Sequence, residues 1–376
     1  MRCATRSHSM LLLLIAVQAL WSSAVMAQVS LDPETTAPDP DDGKTKPKFL
    51  VLPVPFSNPS DGTGLGAGGV VFYNPNGGDH QWTSGVGGIW TSRGSKGIAL
   101  FHKMYSANDR YRLNANGSWF DRNDKYYGIG ADAGDDNDQL GLSARQFKLK
   151  LRALGQVTRS SFLGFQYMLL LNDTTPDEDG ESAVAPPPED ELDSTMSAIG
   201  PVAVYDTRDN HDEPSKGVNL IATWLFGMKA IGDSFSHNTF SLLANAYRPL
   251  GEDTVLASRG SLCASGGDVA YYALCRYGAS NNLRGYPSDR YRDRAAWAVQ
   301  SEVRHQFNSR WGGVAFFGFG GIAPSAGDIL SESNFLPAGG VGARYRLFRK
   351  NDVRARLDFA FGRDANGVYL SFGEAY

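Results

Sequence analysis

The feature that most constrains this chain is a strict alternation of polar and apolar residues, repeated along most of its length after residue 48. In the stretch 146–152, two lysines and an arginine share one face, while a phenylalanine and two leucines share the other; the stretches 112–119 and 354–359 repeat the pattern. A period of two is typical of β-strands with one polar and one apolar face. A soluble sandwich buries the apolar face, whereas a membrane barrel turns it toward lipid.

The N-terminal region favours the membrane interpretation. Basic residues precede a short apolar run at 10–17, and small residues end the segment, which predicts a signal peptide over residues 1–27. Residues 28–47 are rich in proline and charge, which predicts a disordered leader. We therefore expect an exported chain whose barrel occupies 48–376.

Composition excludes several classes of protein. With 36 basic and 40 acidic side chains, the chain is slightly acidic, which argues against nucleic acid as a partner. No stretch after residue 27 has the ~18 consecutive apolar residues of a membrane helix. The chain also has 43 glycines without a collagen-like period, and 11% of its residues are aromatic, which excludes a disordered protein.

About sixteen segments alternate in this way, and an even number suits a bacterial barrel. We therefore predict an all-β fold, a transmembrane antiparallel β-barrel of about sixteen strands. Several connections are short, whereas others are long, and in such barrels the long ones face outward. The long connections are 121–140, 173–193, 265–294 and 324–335.

Residues 282–286 read Asn-Leu-Arg-Gly-Tyr inside the longest connection. This resembles the sixth-extracellular-loop signature of the BamA/TamA (bacterial surface antigen) superfamily of outer-membrane barrels. A second stretch, 206–217, is similar to a hairpin motif of that family, and 302–304 is similar to its twelfth-strand motif. The residues that carry these resemblances are Leu283, Arg284, Gly285 and Tyr286 in the loop, Asp206, Arg208, Asp209, Pro214 and Gly217 in the hairpin, and Glu302 and Arg304 in the strand.

The resemblance implies that the sixth loop folds inward and that Arg284 meets carboxylates on the lumenal wall. Alternation places Glu302 on the inward face, so Glu302 is the expected partner; a solvated loop arginine is the alternative. Three departures from the family pattern stand out. Periplasmic POTRA domains are expected to be missing, Gly318 occupies a position where the family often has an aspartate, and Glu374 occupies one where the assembly signal prefers an apolar residue.

Two further features concern the stability of the barrel. Pro53 and Pro55 lie two apart in the first strand and lack amide donors on the same edge. If that edge faces the last strand, which ends at Tyr376, the closing seam is weak; an ordinary rim with prolines facing water is the alternative. Cys263 and Cys275 form an even pair in an oxidising compartment, which predicts a disulfide.

In function, the resemblance implies insertion or translocation of proteins, or handling of lipids, through a lateral seam. The expected partners are outer-membrane lipid, client outer-membrane proteins and a periplasmic accessory protein. We expect no catalysis, metal or cofactor, because the histidines are scattered and no nucleophile motif occurs. The alternatives are a passive channel for small solutes and a structural surface antigen.

Overall fold

The computed structural model describes residues 47–58, 62–78, 80–92, 94–136, 138–177, 182–211, 213–278, 283–288, 290–346, 354–363 and 365–376. The predicted signal peptide and leader lie outside these residues, apart from Pro47, and stay predictions.

The predicted sixteen-stranded antiparallel sheet is confirmed. Each strand of this sheet, which forms the barrel wall, pairs with the next, whereas two short strands, Cys275–Tyr277 and Tyr291–Asp293, form a separate two-stranded sheet within the longest connection. The strands are β1 (Lys48–Asn58), β2 (Gly62–Tyr73), β3 (Trp82–Thr91), β4 (Lys96–Tyr105), β5 (Tyr111–Tyr126), β6 (Leu140–Thr158), β7 (Ser161–Pro176), β8 (Asp193–Asp206), β9 (Gly217–Gly227), β10 (His237–Pro249), β11 (Thr254–Gly267), β12 (Cys275–Tyr277), β13 (Tyr291–Asp293), β14 (Ala295–Gln306), β15 (Trp311–Ala323), β16 (Ala338–Arg346), β17 (Arg354–Gly362) and β18 (Ala365–Phe372).

The two faces of the sheet differ as the alternation predicts. Large apolar side chains are exposed on the outer face, among them Trp90 (71%), Phe165 (63%) and Phe361 (60%). Exposure of this kind is destabilising in water but favourable against acyl chains, so the outer face suits lipid. The opposite face carries the polar residues and surrounds the lumen.

The helices are short and lie in the connections. They are α1 (Ala131–Asp136), α2 (Glu189–Leu192) and a 3₁₀ turn (Lys229–Ile231). None of the helices in the described ranges is long and apolar enough to cross a membrane. Two connections predicted to be loops are partly regular, because β5 extends to Tyr126 and β7 to Pro176.

The two end strands of the sheet differ from every other neighbouring pair. Consecutive wall strands share ladders of at least seven residue pairs, the fewest being between β8 and β9. Among the described residues, no ladder joins β1 to β18.

Candidate functional site: the sixth loop and the lumenal ion network

The connection between β11 and β14, here called the sixth loop (residues 268–294), packs inside the barrel. Leu283, Arg284 and Tyr286 are each at most 1% exposed. Tyr286 and Leu283 belong to an apolar cluster that includes Ile322 of β15 and Ala338 of β16. Burial of these side chains anchors the loop to the inner wall of the β14–β18 region.

Arg284 ends in a cradle of two carboxylates and one aromatic ring. Its Nη1 donates to Asp358 Oδ2 at 2.5 Å, and its Nη2 donates to Glu302 Oε2. The guanidinium carbon lies 3.6 Å from the centre of the Phe316 ring. The structure thus brings Arg284 together with the predicted partner, Glu302, and adds a second acid, Asp358 of β17, that neither the alternation nor the loop motif predicted.

Asp358 supplies a carboxylate in place of the one that Gly318 lacks. A side-chain carbon at Gly318 would clash with the main-chain oxygen of Val299 on β14 and would lie 2.5 Å from Leu283 Cδ1, so a glycine here makes room for both the neighbouring strand and the loop. Asp358 lies on the polar face of the alternating stretch 354–359, so its inward orientation could have been predicted. What the alternation could not show is that β17 brings this residue to the height of Arg284.

Gly285 and Tyr286 fix the loop to the last strands. The Gly285 amide donates to Tyr369 Oη of β18 at 2.8 Å, and Tyr286 Oη donates to the Pro337 carbonyl at 2.6 Å. Gly285 has φ of 119°, and a side-chain carbon there would lie 2.9 Å from Ala338 Cβ. Only glycine meets both the conformation and the close approach.

The network continues from Glu302 to the residues after β18. Glu302 Oε1 accepts from Arg304 Nε at 2.6 Å, and Arg304 Nη2 donates to the main-chain oxygen of Tyr376. Arg344 of β16 donates to Glu374 at 2.8 Å and to Asp358 at 2.5 Å. Glu374 is thus a buried partner of Arg344, which gives this unusual residue a structural role inside the barrel.

Residues 87–366 match the Omp85 superfamily domain. The chain belongs to the Omp85 superfamily. It is therefore a β-barrel of the bacterial outer membrane, in agreement with the resemblance of the loop, hairpin and strand motifs.

Solved structures with the same fold share little sequence with this Omp85 barrel. BamA from Haemophilus ducreyi lacking POTRA domains 1–3 is 11% identical, with a TM-score of 0.56, covering 96% of this chain and 77% of that one. CdiB from Escherichia coli is 12% identical, with a TM-score of 0.56, covering 85% of this chain and 59% of that one. CdiB from Acinetobacter baumannii is similar at 10% identity and a TM-score of 0.55, covering 85% and 56%. This chain thus spans less than three fifths of CdiB from either organism. A comparison with curated protein sequences finds no match.

The hairpin motif of this Omp85 barrel lies at the turn between β8 and β9. Arg208 pairs with Asp206 at 2.8 Å, while the Asp209 carboxylate accepts hydrogen bonds from Ser215 and from main-chain amides. Burial opposes ionisation of Asp209, but these hydrogen bonds outweigh it and hold the pKa of its carboxyl below the usual range. Gly217 closes the turn with φ of 104°.

The same turn contacts the lumenal network. Glu213, beside Pro214, accepts from Arg354 Nη2 at 2.6 Å, and Arg354 Nη1 lies 3.7 Å from Glu374. A cavity of about 260 Å³ lies between the turn and the inner rim, and its lining includes Glu213, Arg304 and Arg354. The hairpin therefore packs under the β14–β17 wall and does not project freely.

The remaining predicted residues lie at the base of the loop and at the end strands. Cys263 of β11 and Cys275 of β12 are joined by a disulfide with a Cα–Cα distance of 5.7 Å. Pro53 is exposed. The β1–β2 ladder continues through Pro53 and Pro55 without a register shift. The ring of Tyr376 packs in the lumen with Tyr247 and Ala257.

Proposed function

We propose that this Omp85 barrel moves client polypeptides into or across the outer membrane by opening laterally between β1 and β18. The observation that carries the proposal is a contrast. Among the residues that the structure describes, no ladder joins β1 to β18, whereas a buried ion network holds the adjacent β14–β18 wall together. An unpaired strand edge is a template for pairing with another chain, so it can receive a client strand.

Two local features support a weak seam at this position. The β1–β2 ladder stays in register through Pro53 and Pro55, which favours placing their missing donors on the other edge of β1. Residues 374 and 376 are held by Arg344 and Arg304 in the lumen and do not extend the β18 ladder. This mechanism consists of a conformational change, the opening of the seam, and requires no catalytic group.

Partners follow from this mechanism. Clients would be outer-membrane or exported polypeptides with strands that pair with the β1 edge, and a periplasmic accessory protein would deliver them. Membrane lipid covers the outer face in every state.

The test is a reversible crosslink across the proposed seam. Val51→Cys with Leu370→Cys places thiols on the outward faces of β1 and β18; the control, Val71→Cys with Ser84→Cys, crosslinks two register partners of the β2–β3 ladder. The measurement is the rate at which a reporter outer-membrane protein folds into liposomes containing each variant. We expect oxidation of the seam pair to reduce the rate to that of empty liposomes, reduction to restore it, and the control pair to have no effect.

Two outcomes would overturn the proposal. Full activity with the seam crosslinked would exclude lateral opening, and no acceleration by the unmodified protein over empty liposomes would exclude insertion. Unmodified protein treated with reductant controls for the native disulfide.

A passive channel is the second candidate function. Lys148 is exposed although it lies on the inward face of β6, so water reaches part of the lumen. Planar-bilayer conductance separates the two functions: large conductance in the intact protein favours the channel, and conductance that rises only after deletion of 276–292 favours a plugged lumen.

A further inference from the structure

The turn between β8 and β9, here called the strap (residues 207–211 and 213–216), crosses the lumen at the end opposite the sixth loop. Antiparallel strands alternate in direction, so the β2–β3, β4–β5 and β8–β9 turns all lie at this end, which is periplasmic when the long connections face outward. β8 and β9 lie halfway along the sheet. The strap therefore starts from the part of the wall farthest from β1 and β18.

On one side the strap contacts the connection that follows β2. The His211 ring packs edge-on against the His80 ring, with 5.7 Å between the ring centroids. His80 in turn lies against the β4–β5 turn, where its Nε2 is 3.5 Å from Asp109 Oδ2. Because β2 pairs with β1 along the whole of β1, this contact ties the strap to the β1 end of the sheet.

On the other side the strap contacts the first residue of β17. Glu213 accepts a hydrogen bond from Arg354 Nη2 at 2.6 Å and also pairs with Arg354 Nε. Arg354 Nη1 lies 3.7 Å from Glu374, which follows β18. A guanidinium that pairs through two nitrogens holds its carboxylate in a fixed orientation, so this contact ties the strap to the β18 end of the sheet.

Hydrogen bonds within the strap join its two arms. The Asp209 carboxylate accepts from the Ser215 amide at 3.0 Å, and Arg208 Nη1 donates to the His211 carbonyl at 3.1 Å. The contacts made by His211 and by Glu213 thus belong to one braced segment. Together they bridge the two ends of the sheet from inside the mouth of the lumen.

The two attachments of the strap differ in strength. Charge-assisted pairing holds Glu213 to Arg354, whereas a contact between two rings holds His211 to His80. Separation of β1 from β18 moves His80 away from Arg354, and a braced strap cannot follow both. The weaker contact, at His80, therefore breaks first, and the strap stays with β17.

We propose that the strap closes the periplasmic mouth of the lumen and bridges the two ends of the sheet, and that it detaches from His80 when the barrel opens. Closure of the mouth stands on the contacts of the strap alone. The coupling of detachment to lateral opening rests on the proposed function. The two parts are therefore tested separately.

The first experiment measures closure of the mouth without any client. Val255→Cys places a thiol in the cavity of about 260 Å³ that the strap lines, and the rate of its reaction with a charged maleimide follows the population of the open state. We expect His211→Ala with Glu213→Gln to raise this rate by about tenfold, because both attachments are lost. The matched control, His305→Ala with Glu252→Gln, removes the same side chains from cavity-lining positions outside the strap and should leave the rate unchanged. An unchanged rate in the test variant, or an equal rise in both variants, would overturn the closure.

The second experiment tests detachment. His80→Cys with His211→Cys is joined by a short bismaleimide, and the same protein treated with a monofunctional maleimide is the control; the native cysteines are disulfide-bonded and do not react. We expect the crosslink to reduce the folding rate of the reporter outer-membrane protein to that in empty liposomes, and the control to keep the rate of the unreacted protein.

The outcomes separate the two proposals. Full activity with the strap crosslinked, together with inhibition by the crosslink between β1 and β18, would overturn the coupling and leave lateral opening intact. No acceleration by the unmodified protein would overturn the proposed function and the coupling together, and the reaction rate of Val255→Cys then decides closure of the mouth by itself.

Discussion

The two sides of the lumen use arginine and lysine in opposite ways. On the β14–β18 side, Arg284 and Arg344 are at most 2% exposed, and each meets a carboxylate directly. On the β4–β7 side, Lys148 is exposed and its cross-strand neighbours are uncharged. The sixth loop packs against the first side through Leu283 and Tyr286 and against part of the second through Tyr271, and it leaves Lys148 exposed.

The difference follows from the cost of burying charge. A guanidinium removed from water costs several kcal/mol unless carboxylates and hydrogen bonds replace its hydration. Where the loop excludes water, Glu302, Asp358 and Glu374 supply that replacement. Where water remains, as at Lys148, hydration itself stabilises the cation.

The largest expected effect is a difference in the free energy of unfolding between two single variants, each of which lacks one cation from one side of the lumen. Arg344 pairs with both Asp358 and Glu374, so Arg344→Met removes a shared partner of two buried carboxylates. We expect this substitution to lower the free energy of unfolding by about 3–5 kcal/mol. Lys148→Met removes a charge that water solvates, and we expect a change within about 0.5 kcal/mol. Urea unfolding in detergent, followed by the mobility of unboiled samples on gels, measures both.

Equal losses in the two variants would contradict the comparison. Asp121→Asn, which removes one half of an exposed ion pair with Lys96 at 3.6 Å, serves as a surface control and should change the free energy of unfolding by less than about 1 kcal/mol.

A smaller effect tests how the packed side accommodates the loop. Gly318→Asp places a carboxylate on β15 at the family position, but its Cβ would clash with the Val299 main-chain oxygen of β14 and would lie 2.5 Å from Leu283 Cδ1 of the loop. We expect a loss of about 1–3 kcal/mol from overpacking and greater cleavage of the sixth loop by added protease. Gly251→Asp, in the exposed turn between β10 and β11 with open space around the new Cβ, is the control for protease access. A loss of stability alone reports the clash with β14, and unchanged cleavage of the sixth loop in Gly318→Asp would show that the loop is not packed against β15.

Alternation and the loop motif predicted much of this arrangement from sequence. The period of two placed Glu302 inward, and the resemblance placed Arg284 in the lumen; the structure brings the two together. Asp358 shared the predicted polar face of its strand but was not identified as a partner. Periodicity assigns a residue to a face, whereas its height on the barrel depends on the registers of all the intervening ladders, and these are not encoded locally.

Glu374 illustrates a second limit of the sequence. The family pattern has an apolar residue at this position, so Glu374 appears there only as a departure. Its structural role depends on its ion pair with Arg344, which lies thirty residues earlier on another strand. The ends of β5 and β7 were also placed too early, because polar residues beyond the membrane alternate less clearly while the ladder of main-chain hydrogen bonds continues.

The smallest expected effect on the free energy of unfolding comes from the ion pair between Asp109 and Arg112, at the edge of the solvated side of the lumen. Asp109, in the turn between β4 and β5, accepts hydrogen bonds from Arg112 Nε at 2.8 Å and Nη2 at 2.5 Å. Burial raises the pKa of this carboxyl, but Arg112 and His80 outweigh it and lower the pKa from 3.8 to about 2. A depressed pKa in the folded state means that the pair contributes stability above about pH 4 and loses it as the pH falls toward 2.

We therefore expect Asp109→Asn to lower the free energy of unfolding by about 1 kcal/mol at pH 7, after allowance for solvent screening, and by progressively less between pH 4 and pH 2. Asparagine tolerates the left-handed conformation of this residue, φ of 53°, so the substitution tests charge and not backbone strain. Urea unfolding of the variant and the unmodified protein at each pH measures the difference. A difference that persists undiminished at pH 2 would assign the loss to the turn itself and not to the ion pair between Asp109 and Arg112.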